Sequence, residues 1–367
     1  MKNSFASKKT KKKRTTAIKK RAIGIIVGLV VALVSAGVWL WWHDISKPIG
    51  GAVTVVVIPK GSGTIATGNL LAKKGIIRSA DAWRLLIALK NWDKALKAGT
   101  YRLDPNQSLE EIATQIHEGK VLTAKFTIPE GWNLRQMAAY FGQTGYFPEA
   151  VNYTPEQFLV LTIGPERLQR SWIPGNIDRL EGFLFPDTYE LPEDGLTPKA
   201  VVNAMLDRYE KVALPVYKES GSQFSLVEFT TLASIVEKEA AVPEERPLIS
   251  GVFMNRLSKK IPLGSDPTVE YAFNLKQTAE KNLTYAQVRQ KSPYNTYVTA
   301  GLPPTPIASP GKASLEAVAK PEPTDYLYFM ARYDGTHIFS RTNAEHEQAK
   351  KLVRSGQQAG KKETSVN

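Results

Sequence analysis

Two glutamates stand one residue apart at the end of an apolar run, in SIVEKEA, Ser234–Ala240. The surrounding FTTLASIVEKEAA is helical in pattern. On a helix Glu239 falls about 20° from Leu232 and about 40° from Ile235, while Glu237 falls about 200° away from Glu239. The spacing therefore predicts a half-buried Glu239 and a Glu237 turned to water. A carboxyl in apolar surroundings holds its proton to higher pH, because desolvation disfavours its charged form. Such a group can protonate a leaving oxygen near neutrality. The competing reading is an ion pair of Glu239 with Arg246 or Arg256, and spacing alone leaves both open.

Other residues carry polar chemistry in the second half of the chain. Asp266 and Thr268 lie in SDPT, which reads either as part of a site or as an Asx turn opening the helix TVEYAF. Asn255 follows Met254 on a helix, within range of a bond to Glu239 or to a ligand. The run SPYNTY offers Tyr294, Asn295 and Thr296, a set of ring, amide and hydroxyl groups suited to sugars, or a plain polar loop. Glu181 precedes FLFPDTYEL and reads either as an ion-pair partner or as a substrate contact. GLPP at 301–304 and IASPG at 307–311 are rigid loops expected to shape a cleft wall.

Several chemistries are excluded. The chain has no cysteine, and its four histidines, at 43, 117, 337 and 346, show no metal-ligand spacing. Neither a metal nor a cofactor is expected. Gly61-Ser62-Gly63-Thr64-Ile65-Ala66 has the spacing of a dinucleotide fingerprint, but no train of βαβ units follows. Its glycines read as a tight strand-to-helix turn.

The elements that must hold these residues follow from periodicity. Val53–Ile58 is β-branched and reads as a strand. Helices follow from Ile65 to Gly75 and from Ser79, a candidate N-cap, through Leu89. AGTYRL, Ala98–Leu103, reads as a second strand. This βααβ order resembles a LysM module, a glycan-binding unit. SLEEIATQIHEGK is an amphipathic helix with Ser108 and Glu111 in capping-box spacing. IPKG at 58–61 and IPEG at 128–131 mark a short internal repeat of strand, Pro-x-Gly turn and helix.

The 367 residues suffice for two modest domains, at 43% hydrophobic and 23% charged. The net charge of +13 is concentrated at the start. Residues 1–21 carry ten Lys or Arg and no acid, leaving 38 basic against 35 acidic side chains elsewhere. The body of the protein is thus no nucleic-acid surface. Residues 22–42, AIGIIVGLVVALVSAGVWLWW, hold no charge. As a helix they span about 30 Å, the thickness of a bilayer's hydrocarbon core. The basic block on one side places the N-terminus in the cytoplasm. Trp39, Trp41 and Trp42 form an interfacial belt at the far end. The uncharged run continues beyond the small residues Val34-Ser35-Ala36, which favours an anchor over a cleaved signal.

LASIVEKEAAVPEERPLISGVFMNRL, LGSDPTVEYAF, SPYNTYVTAGLPPTPIASPG and EGFLFPDTYEL together resemble the MltG (YceG-like) family, endolytic lytic transglycosylases of bacterial peptidoglycan. The resemblance extends from about residue 22 to about 350. It implies cleavage of the β-1,4 bond between N-acetylmuramic acid and N-acetylglucosamine, leaving a 1,6-anhydro-muramyl end. It implies that Glu239, the second Glu of the E-K-E block, is the catalytic acid and base. Glycan strands would be the substrate, and peptidoglycan synthases and elongation or division proteins the partners.

The expected architecture is α+β. Residues 1–21 are a cytoplasmic basic tail and 22–42 a single-pass anchor in the cytoplasmic (inner) membrane. Residues 43–122 are a LysM-like glycan-binding module, 123–354 a larger helix-rich catalytic domain in the periplasm, and 355–367 a disordered tail. Two other functions compete: a muramidase-type hydrolase using Asp266 or Glu181 as a second carboxylate, and a glycan-binding scaffold without activity.

Overall fold

The computed structural model describes residues 4–143, 147, 153–164, 170–278, 281–332 and 334–364. The basic residue Lys2 and the tail residues 365–367 lie outside them. The chain is a mixed α+β protein, with three two-stranded sheets among many helices.

Helix α1, Ser4–Ile45, is continuous over 42 residues. Its stretch Ile25–Ile45 has a mean hydropathy of 2.3 and no residue buried inside the protein. It is the one helix among the described residues long and apolar enough to cross a membrane. A largely exposed apolar helix of this length is compatible with a single-pass membrane anchor. The chain divides into two compact units, the first of which includes α1.

The first unit runs to Thr123 and adds Pro192–Asp194. Strand β1, Thr54–Ile58, is followed by helices α2, Thr64–Lys73, and α3, Ala80–Lys90, and by strand β2, Gly99–Leu103. The strands pair antiparallel, with Val56 opposite Tyr101. Alternation decides which faces are covered: Val56, Ile58, Tyr101 and Leu103 are buried, whereas Val55 and Val57 are exposed. Ser79 caps α3 by accepting from the Ala82 N–H. Helix α4, Leu109–Glu118, carries the full Ser108–Glu111 capping box and buries Leu109, Ile112 and Ile116 against Trp83 and Leu71. Each such side chain contributes about 1.5–3 kcal/mol by leaving water.

The second unit comprises Ala124–Leu191 and Gly195–Asn367. Strand β3, Thr123–Thr127, leads through Pro129 into helix α5, Leu134–Phe141. This repeats the passage from β1 to α2. In both copies a buried Ile stands at the strand's end or just after it, and the Gly of Pro-x-Gly has positive φ, +82° at Gly61 and +74° at Gly131. An L side chain rarely adopts that backbone, so the turn selects glycine. The dinucleotide-like glycines are thus a strand-to-helix turn.

Helix α6, Pro155–Leu161, and strand β4, Thr188–Pro192, which pairs with β3, precede the long helix α7, Pro198–Glu219. Helix α8, Leu226–Glu239, follows a Ser225–Glu228 capping box. Nearly every residue from Leu226 to Val236 is buried, so α8 is the central helix of this unit. A 3-10 turn, Pro243–Glu245, leads to α9, Arg246–Ser258, and then come α10, Asp266–Phe273, α11, Tyr285–Arg289, and α12, Lys312–Ala319. Strands β5, Tyr328–Ala331, and β6, His337–Ser340, form an antiparallel hairpin. Helix α13, Asn343–Thr364, runs on through the segment from Ser355 that the composition reads as disordered.

Candidate active site

Helix α8 ends at Glu239 because the chain must turn. Val242 precedes Pro243, whose ring disfavours helical backbone at the residue before it, and Ala240 is already extended. Glu239 therefore sits on the last turn of a core helix, half-buried, behind the fully buried Leu232, Ile235 and Val236. Desolvation pushes its carboxyl up to about 7. The buried Ser265 hydroxyl pulls the other way. Asp266 and Glu270 reinforce the rise through their charge, and Arg256 opposes it. The carbonyl end of α8, the negative end of its dipole, also disfavours a carboxylate there.

Glu237 departs from the sequence reading. Its side chain is only 7% exposed, not turned to water. It accepts from the Gly311 N–H at 3.0 Å and the Ser314 hydroxyl at 2.7 Å, and pairs with Arg246 at 3.6 Å. The reason is that α8 is covered by both α9 and α12, so its polar side is also interior. Arg246 thus serves Glu237, and no ion pair ties Glu239 to either arginine among the described residues.

Helix α10 supplies the wall facing Glu239. Its N-cap Ser265 makes no side-chain cap bond, and its buried hydroxyl is turned to Glu239. Asp266 does not form the Asx turn that SDPT suggested. Its Oδ1 accepts the Tyr297 hydroxyl at 2.6 Å, and its Oδ2 accepts the Gln277 amide at 3.2 Å. Gln277 also donates its main-chain N–H to Glu270 at 2.6 Å.

Thr268 and Thr296 lie behind this wall, both buried, with their hydroxyls 2.9 Å apart. Thr296 Oγ1 accepts the Ser265 N–H at 3.0 Å, and Thr268 donates to the Ser265 carbonyl at 2.6 Å. Asn295 is fully buried, donating to the Val288 and Gln290 carbonyls and accepting from the Tyr297 N–H. These three residues, expected as sugar contacts, instead lock the 292–299 loop onto α10. Tyr294 is half-buried, with its hydroxyl 2.8 Å from Thr305 and its ring 5.0 Å from that of Tyr271.

Asn255 is not joined to Glu239: its amide donates to the Thr324 and Tyr326 carbonyls at 2.7 and 3.0 Å, fastening α9 to the segment before β5. The neighbouring Arg256 is the cation of the site. It donates to the Leu263 carbonyl and lies 5.0 Å from the Tyr328 ring.

Glu181 forms a second buried carboxyl. It is 3% exposed, accepts from the Leu134 N–H and the Tyr271 hydroxyl at 2.9 Å each, and is pushed up to about 7 by burial. Both oxygens are committed to protein donors.

The structure thus joins Glu239, Asp266 and Arg256, the last expected only as an ion-pair partner, in one cluster and adds Ser265, Glu270, Gln277 and Tyr297, which the sequence did not single out. Tyr297 ends the SPYNTY run; its neighbours in the motif drew the attention that belonged to it. Among the described residues no group of His, Asp and Glu has metal-holding geometry.

Together these features describe an acid/base site: one carboxyl poised near neutrality on an α+β scaffold, with a hydrogen-bonded carboxylate beside it. The chain belongs to the YceG-like family, whose model matches residues 56–352. It is 33% identical over 330 residues to the endolytic murein transglycosylase of Bacillus subtilis, covering 87% of this chain and 90% of that protein. The endolytic murein transglycosylase of Streptococcus pneumoniae strain D39 is 31% identical over 345 residues, covering 86% of this chain and 62% of the longer relative. The crystal structure of a YceG-like protein from Listeria monocytogenes is similar at a TM-score of 0.51 and 32% identity, covering 81% of this chain and 99% of that one.

Proposed function

We propose that this protein is a membrane-anchored endolytic lytic transglycosylase of peptidoglycan. The observation that carries the reading is Glu239, a half-buried carboxyl pushed up to about 7 at the end of the core helix, in a chain similar to two endolytic murein transglycosylases. Protonated Glu239 donates to the glycosidic oxygen as the bond to C1 of N-acetylmuramic acid breaks. The carboxylate so formed then takes the proton of the C6 hydroxyl as that oxygen closes on C1. The products are a free N-acetylglucosamine hydroxyl and a 1,6-anhydro-muramyl end. Water is not consumed, and Glu239 is again protonated. The intramolecular hydroxyl reacts at a very high effective concentration, so no second carboxylate is needed to activate water.

Under this reading α1 anchors the chain in the cytoplasmic membrane, with the basic tail inside and both units outside, close to newly made strands. The first unit, residues 43–122, acts as a LysM-like glycan holder, and residues 123–354 cut. Peptidoglycan synthases and elongation or division proteins are the proposed neighbours. Asp266 and Tyr294 face the substrate, while Thr268, Asn295, Thr296, Asn255 and Glu181 hold the walls.

The test is mass spectrometry of isolated glycan strands treated with the detergent-solubilised chain and with Glu239→Gln. Anhydro ends from the wild type and none from the variant are expected. Reducing ends would establish a muramidase instead, and intact strands that still bind would establish a scaffold.

A further inference from the structure

Asp266 is the first residue of α10, yet its carboxylate spends its hydrogen bonds away from its own helix. Both oxygens are turned to side-chain donors from elsewhere, Tyr297 at 2.6 Å and Gln277 at 3.2 Å. Gln277 is itself fixed by its main-chain bond to Glu270 and by accepting the Leu283 N–H at 3.4 Å. The Tyr297 backbone is held by Asn295 Oδ1 at 3.0 Å, and Asn295 is fully buried. A carboxylate clamped from two sides keeps its place better than one held by solvent.

The clamp matters because of what it faces. Glu239 is met by Ser265, Asp266 and Glu270 from α10, by Arg256 from α9, and by Tyr297 from the 292–299 loop. Asp266 and Glu270 favour the protonated form of Glu239, and Arg256 disfavours it. Tyr297 is held as a hydroxyl by burial of its oxygen and by the Asp266 charge, so it remains a donor throughout the neutral range.

We propose that Tyr297 is a positioning residue for the reaction: with the Gln277 amide it fixes the Asp266 carboxylate in the cluster around Glu239, where it faces the positive charge forming at C1. The inference rests on the transglycosylase reading. Removing the Tyr297 hydroxyl frees one oxygen of Asp266 without changing any charge, and the ring, 41% exposed, leaves no cavity behind.

The experiment is a double-mutant cycle on the full-length chain in detergent, with anhydro-end formation on isolated glycan strands followed against pH. Tyr297→Phe should lower kcat about tenfold, the size expected for one hydrogen bond to a charged group. KM should stay unchanged, and the high-pH limb of kcat should move toward acid. Asp266→Asn should lower kcat further and move the limb further. The double variant should match Asp266→Asn alone, because Tyr297 acts only through Asp266. A raised KM with intact kcat in Tyr297→Phe would make the ring a sugar contact and overturn the proposal. So would effects that multiply in the double variant, or a high-pH limb that stays fixed. Gln277→Leu removes the other donor and is held to the same outcomes should Tyr297→Phe fold poorly. Failure of the underlying reading is distinguishable, since it would show as Glu239→Gln retaining anhydro-end formation.

Discussion

The Tyr271 hydroxyl lies 2.9 Å from Oε2 of Glu181, and this bond ties a buried carboxyl to the helix that also carries Asp266. Oε1 of the same carboxyl accepts the Leu134 N–H at the first turn of α5. Arg135 reinforces the junction, donating to the Tyr271 carbonyl at 3.1 Å and lying 5.2 Å from its ring. Glu181 is thus a joint between α5 and α10, and its oxygens are not free for a sugar or a water.

Glu181 also predicts a pH dependence of stability. Burial raises it from 4.5 to about 7, opposed by the Leu134 and Tyr271 bonds. Between those values the folded chain keeps a proton that the unfolded chain has lost, so stability falls as pH rises through this window. The shift corresponds to about 3 kcal/mol. Glu181→Gln, which cannot ionise, should flatten this part of the curve of unfolding free energy against pH. Urea unfolding of the solubilised chain at several pH values checks it.

Glu239 makes a paired prediction on rate and stability. Under the proposed mechanism cleavage needs its protonated form, so kcat should fall as pH rises above about 7. Glu239→Gln should lower the rate by at least about a hundredfold. The same variant removes a carboxyl that burial destabilises when charged, so its melting temperature at mildly alkaline pH should equal or exceed the wild type's. A loss of both rate and stability would make Glu239 a structural residue.

Much of this was legible in the sequence, for identifiable reasons. The caps at Ser79 and Ser108, the βααβ order and the Pro-x-Gly repeat are local, decided by residues within a few positions of each other. The burial of Glu239 followed from the apolar stripe of its own helix. What failed depended on distant partners. Glu237 looks solvated on a helical wheel, and only the arrival of α9 and α12 buries it. Asp266 looks like a turn former, and only the arrival of Gln277 and of Tyr297, 31 residues on, makes it an acceptor for side chains. Asn295 and Thr296 look like sugar contacts because their types suit sugars, but their hydrogen bonds are spent on the loop and α10.

Gly251 on α9 sets two effects against each other. Alanine in a helix interior is ordinarily better than glycine by about 1 kcal/mol. Here an added Cβ would lie 2.3 Å from the Glu322 carbonyl oxygen, a main-chain atom that cannot swing aside. Overpacking of this kind costs about 1–3 kcal/mol, more where backbone must shift. Gly251→Ala should therefore lower the urea midpoint. It should also lower activity by displacing α9, which carries Arg256.

The two neighbouring glutamates should separate cleanly by experiment. Glu237 holds Arg246, Gly311 and Ser314 together, and Arg246 also donates to Ser314 at 3.2 Å. Glu237→Ala leaves the Arg246 charge largely buried without its acid, a loss that typically costs about 3–5 kcal/mol. Glu237→Gln keeps an acceptor for the Gly311 N–H and should cost less. Neither change touches the groups facing Glu239, so the molecules that remain folded should keep the wild-type pH profile. The expected pattern is crossed: Glu239→Gln lowers rate without lowering stability, and Glu237→Ala lowers stability without moving the high-pH limb. Activity against pH and urea unfolding, measured on the same two variants, decide it. A shifted limb in Glu237→Ala would mean that Glu237 acts on the site and is more than a strut beneath it.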